Sequence, residues 1–201
     1  MKTVQTLRIH TDKKGVRALG ISESFIKGES KKSILAGVVM RADLIVDGFS
    51  FSKTTVGGMD ATDCVIELYQ KLRRDDINCM FLNGCVISWF NIIELGKVHR
   101  DTGLPVICVT YEESEGLEKY LIEYFGDRAE ERIVKYRENG EREKLELHTG
   151  NTVFARYFGL GRKEALRILN RFTLQGAIPD PLRVARLLAR TIVKQMPETI
   201  L

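Results

Sequence analysis

Five oxygen-bearing side chains stand at the ends of apolar stretches in this chain. Ser22 and Glu23 follow the first stretch, Asp60 and Asp63 open a helical one, and Asn83 closes a later one. If the strands they terminate lie side by side, these groups meet at one rim of a sheet, where open α/β sheets hold their ligands. Acidic oxygens converging there can bind two divalent ions roughly 3.5–4 Å apart, which activate water and neutralise charge on a phosphate under attack. Glu23, Asp63 and Asn83 are the candidate metal ligands, with Asp60 and Ser22 beside them in the candidate catalytic set. Each also has a plainer reading. Asp60 and Asp63 suit an N-terminal capping pair, Asn83–Gly84 an ordinary turn, and Glu23 a solvated acid.

A second constellation is basic. Arg183, Arg186, Arg190 and Lys194 fall at i, i+3, i+7 and i+11 of one helical segment, and Lys163, Arg167 and Arg171 repeat at i, i+4 and i+8 of the preceding one. Residues 151–201 carry nine Lys/Arg against three acids, a net +6, which leaves −2 on residues 1–150 of the chain's total of +4. A dense basic end on a near-neutral body suits a polyanion. Arg183, Arg186, Arg190 and Arg167 are therefore candidate nucleic-acid contacts, although a solvated helix face explains them as well. Trp89–Phe90 offers aromatic faces for base stacking or for core packing. His10, His99 and His148 are scattered and receive no role.

The elements that must position these groups follow from periodicity. Residues 16–25, 33–43 and 44–56 read as three successive strands, and 60–74 as a helix with Cys64, Val65, Leu68 and Leu72 on one face. Residues 78–84 read as a strand, 90–103 as a helix ending at Gly103, 105–111 as a central strand and 116–127 as a helix. The segment 130–160 is ambiguous, with Asn139–Gly140 as a hairpin turn or a helix end, and 161–176 and 180–196 read as amphipathic helices. Three sequential strands favour antiparallel pairing, whereas the later alternation needs parallel pairing through helical crossovers. The expected architecture is a ribonuclease H-like α/β domain with a mixed sheet and helices on both faces.

The 201 residues suit one domain, spanning 1–201, and 44% hydrophobic with 29% charged residues is globular composition. No apolar run reaches the roughly 18 residues of a membrane span, and the N-terminal stretch lacks a secretory signal, so the expectation is a cytoplasmic protein without a membrane partner. Cys64, Cys79, Cys85 and Cys108 lie in apolar stretches without paired C-x-x-C spacing, as reduced cysteines packed as small hydrophobes do.

Four segments, RALGISESF (17–25), VGGMDATD (56–63), FLNGCVISWFNIIEL (81–95) and IPDPLRVARLLA (178–189), resemble the archaeal endonuclease dU family, relatives of endonuclease V. The resemblance runs over most of the chain. It implies a ribonuclease H-like fold and magnesium- or manganese-dependent cleavage of DNA near a deaminated base such as deoxyuridine. The family usually carries Asp at the positions of Ser22 and Asn83, and often His at that of Arg186. Losing two anionic ligands and gaining a cation changes the local charge by about three units, which weakens or abolishes metal binding while favouring phosphate. Two functional readings follow. One is an endonuclease using Glu23, Asp63 and Asp60, with Asn83 as a neutral ligand. The other is a catalytically silent nucleic-acid-binding module, with a protein-interaction domain as a third. The first two require positions 22, 63 and 83 to gather beside the last helix, and Glu23 replaces an acid at 22 only if the strand end bulges.

Overall fold

A computed structural model describes residues 15–200 of the chain. The opening meander is β1 (Arg17–Ser24), β2 (Lys32–Arg41) and β3 (Val46–Thr55), followed by α1 (Ala61–Lys71) and β4 (Cys79–Asn83). A miniature hairpin, β5 (Val86–Ile87) and β6 (Asn91–Ile92), precedes α2 (Leu95–Thr102), β7 (Val106–Thr110), α3 (Glu118–Phe125) and α4 (Ala129–Glu138). The chain closes with β8 (Glu143–Glu146), β9 (Thr152–Phe158), α5 (Arg162–Arg171) and α6 (Asp180–Gln195).

Seven strands form one mixed sheet in the order β3-β2-β1-β4-β7-β9-β8. β1, β2 and β3 pair antiparallel, as their short connections require, whereas β4 joins β1 and β7 joins β4 in parallel through helical crossovers. The three central strands therefore run the same way and end at the same rim. Their residues are apolar on both faces because both faces are covered. Leu19, Met80 and Val106 pack into the layer of α1–α4, while Ala18, Phe81 and Ile107 pack beneath α5 and the start of α6. Phe81 and Phe172 are fully buried and meet edge to face at 5.7 Å. Burying each such ring contributes roughly 2–3 kcal/mol.

Two glycines set the layer spacing. A Cβ on Gly20 would lie 2.5–2.8 Å from three atoms of Pro181, and one on Gly37 would lie 2.5 Å from Leu68. Only hydrogen at these positions lets α6 press onto β1 and α1 onto β2.

One local expectation needs correction, and one ambiguity resolves. The helix expected over 90–103 begins only at Leu95, because Ser88, Trp89 and Phe90 take consecutive left-handed conformations and fold residues 86–92 into a hairpin. Asn139–Gly140 ends α4 rather than turning a hairpin, with Gly140 at φ 73°. The hairpin in that region comes later, closed by Leu147 N–H bonding to Asn151 O, and its second strand lies antiparallel on β7. His10 lies outside the described residues. Among those described, all four cysteines are free thiols and no helix is long and apolar enough to cross a membrane.

Candidate functional site

At the rim where β1, β4 and β7 end, a cavity of about 590 Å³ opens between the strand ends, α6 and the β8–β9 side of the sheet. Glu23, Asn83 and Tyr111 reach it from three strand ends, and Arg186 and Arg190 reach it from α6. Strand alternation sorts the first of these. Ser22 shares a face with Gly20 and Ala18, so its hydroxyl points at α6, is 3% exposed, and donates to Leu182 O at 3.1 Å. Glu23 faces the opposite layer. The β1–β2 register runs unbroken through Glu23↔Leu35 and Ser24↔Ile34, so no bulge brings Glu23 round to replace an acid at position 22. The Glu23 carboxylate accepts from Ser33 Oγ at 2.8 Å and from the Ser88 backbone N–H. Burial lifts its pKa above the ordinary carboxylate value, against the opposing pull of those two bonds and of the Arg186 charge.

The two aspartates lie elsewhere. Asp60 accepts from Thr54 Oγ1 at 2.6 Å, Thr55 Oγ1 at 2.7 Å, Thr55 N at 3.1 Å and Asn91 Nδ2 at 2.6 Å. Burial works to raise its pKa, but these donors outweigh it and bring the group to about 2. Asp60 ties β3, β6 and the start of α1 together, and does not cap α1 with its side chain. Asn91 Oδ1 performs the capping, accepting from Ala61 N at 3.0 Å. Asp63 is 72% exposed and ion-paired with Lys97 at 2.6 Å. The buried face of α1 is Ala61, Thr62, Val65, Ile66 and Leu68. At about 100° per residue, position 63 lies roughly 150° from the centre of that face, so it turns to solvent. Neither aspartate lines the cavity, so the expected gathering of positions 22, 63 and 83 fails at Asp63, and what meets beside α6 is the strand ends that carry Glu23 and Asn83.

These residues do not fit a divalent ion. Among the described residues, no three His, Cys, Asp or Glu side chains are placed to hold a metal. Ser22 spends its hydroxyl on Leu182, and Asn83 brings no charge. The cavity is lined by Arg142, Arg156, Arg186 and Arg190 against only Glu23 and Glu112, a local net charge of +2. Magnesium and manganese need anionic oxygen there.

The basic residues divide in the same way. Arg183 is tied to the chain entering α6, donating to Gln175 O at 2.8 Å and Ile178 O at 3.2 Å. Arg167 is exposed on α5 and does not line the cavity. Arg186 and Arg190 line it, and their side chains make no hydrogen bond or ion pair to other described residues. Sequence reasoning missed Arg156, Arg142 and Tyr111. Arg156 is 7% exposed, donates from Nε to Gly140 O at 2.6 Å, and lies 3.4 Å from Cys85 Sγ. It sits on β9, in the segment whose periodicity was ambiguous. Tyr111 follows β7, so the strand-end rule that singled out Ser22 and Asn83 would have found it. Trp89 and Phe90 pack against Tyr124 and Phe125 in an aromatic cluster, with Trp89 37% exposed.

Residues 14–193 match the model of the family described as endonuclease dU. The chain belongs to the endonuclease dU family. It is therefore, by descent, a nucleic-acid-acting protein of nuclease type. A UPF0215 protein of Pyrobaculum calidifontis is 33% identical over 171 residues, covering 85% of this chain and 93% of its own. A solved protein of unknown function from Archaeoglobus fulgidus aligns with TM-score 0.75 and 27% identity over 88% of this chain and 98% of its own. Endonuclease V of Ciona intestinalis, solved with a 24mer DNA containing an inosine followed by a ribo-adenosine, aligns with TM-score 0.60 and 14% identity over 90% of this chain and 87% of its own. The last likeness establishes the ribonuclease H-like fold.

Proposed function

We propose that this family member binds nucleic acid at the strand-end cavity, holding phosphate on Arg186 and Arg190, and does so without a divalent ion. The observation that carries the reading is the charge of the cavity: four guanidinium groups face two carboxylates where the family's metal site is expected. A guanidinium offers paired donors to phosphate oxygens and needs no bridging ion. DNA, including uracil-containing or otherwise deaminated DNA, is the partner that family membership and the inosine-containing complex of the Ciona relative favour.

Metal-dependent cleavage beside a deaminated base is the second reading. Family membership favours it, and so does the presence of Glu23 and Asn83 in one cavity. One pair of assays separates the two. Under the first reading, a labelled oligonucleotide binds in excess chelator, binding weakens as salt rises, and Arg186→Ala with Arg190→Ala weakens it about tenfold or more. Nicking of uracil-containing DNA on addition of magnesium or manganese, abolished by Glu23→Gln, would instead establish the second.

A further inference from the structure

The hydroxyl of Tyr111 is buried at the cavity and has no hydrogen-bond partner among the described residues. A buried hydroxyl left unpaired has given up its bonds to water with nothing in return, so its presence calls for an explanation. The charged groups acting on it from α6 are Arg183 and Arg186. Guanidinium groups carry donors only, so they cannot accept the Tyr111 proton. An anion that the arginines also attract would supply that acceptor.

The charge of the cavity narrows the anion. Its lining carries a net +2, and one of the cations, Arg156, is buried and fixed by the Gly140 carbonyl. A phosphodiester inside a strand brings one negative charge. A phosphomonoester brings about −1.5 to −2 at neutral pH and offers three acceptor oxygens. The volume of about 590 Å³ accommodates a phosphate together with its nucleoside.

We infer that the cavity is a receptor for a phosphomonoester at the end of a nucleic-acid strand, with the Tyr111 hydroxyl, Arg186 and Arg190 as its ligands. The inference rests on the proposed reading of this cavity as a phosphate site and goes further by naming which phosphate it holds. Burial pushes the Tyr111 phenol well above its ordinary value, so it remains a donor at neutral pH.

The test is fluorescence anisotropy in excess chelator. Its probes are matched 12-mers of DNA and RNA bearing a 5′-phosphate, a 3′-phosphate or only hydroxyl ends. At least one phosphorylated end should bind about tenfold more tightly than the hydroxyl oligonucleotide. Tyr111→Phe, which removes only the orphaned oxygen, should erase most of that preference and melt no lower than the parent. Salt-sensitive binding with no preference among the ends would overturn the terminal-phosphate assignment and leave the proposed function standing. Binding of no oligonucleotide would overturn both. A preference that survives Tyr111→Phe intact would remove Tyr111 from the site.

Discussion

Gly20→Ala tests how α6, and with it Arg186 and Arg190, is placed over the rim. The added Cβ would sit 2.5 Å from Pro181 C, 2.6 Å from its Cβ and 2.8 Å from its O. Carbon atoms rest about 3.5–4.0 Å apart, so the start of α6 must retreat by about 1 Å. None of the three atoms is the free end of a flexible side chain. Overpacking of this kind costs about 1–3 kcal/mol. Replacing a strand glycine by alanine otherwise stabilises by roughly 0.5–1 kcal/mol, so the sign of the change is diagnostic. The net loss should be about 1–2 kcal/mol, a fall in Tm of roughly 2–8 °C for a chain of this size. The same retreat should lift the Leu182 carbonyl from the Ser22 hydroxyl and weaken oligonucleotide binding several-fold. Thermal unfolding and anisotropy read both effects. Gly15→Ala is the control, since a Cβ there meets nothing within 4 Å. An unchanged or higher Tm for Gly20→Ala would refute the close approach of α6 to β1.

Asp63→Ala should leave oligonucleotide affinity and any cleavage unchanged, because its carboxylate points to solvent and Lys97; a loss of either above about threefold would return Asp63 to the site. Asp60 is held at about 2 against an ordinary 3.8, so it stabilises the fold above pH 3.8 and that contribution is lost as pH falls towards 2. The amount is of order 1 kcal/mol after allowing for solvent screening of a partly exposed group, and Asp60→Asn should flatten the acid limb of a stability–pH curve. If that limb keeps its slope, the Asp60 knot contributes nothing. The double replacement Ser22→Asp with Asn83→Asp should gain a manganese-dependent rise in Tm that the parent lacks, since two anionic oxygens would then stand on neighbouring strand ends beneath α6. Equal Tm values with and without manganese would show that these two positions do not converge on an ion.

The sequence by itself determined the order and type of most elements, because periodicity is a local property. The apolar runs of β1, β2, β4 and β7 and the amphipathic spacing of α6 are written within single segments. It also determined that Ser22 and Glu23 face opposite ways, since alternation is intrinsic to a strand. Asp63 was misplaced although the signal was present: the helix face centres on Val65 and Ala61, which turns position 63 outward. Other features were beyond any local pattern. That β9 runs antiparallel on β7 depends on where a distant hairpin docks, and this docking brings Arg156 under the cavity. That Arg186 and Arg190 line the cavity while Arg183 is consumed by the loop before it depends on how α6 lies across β1, through the absent Cβ of Gly20. Local spacing decides which residues share a face, and only packing between segments far apart in the chain decides what that face meets.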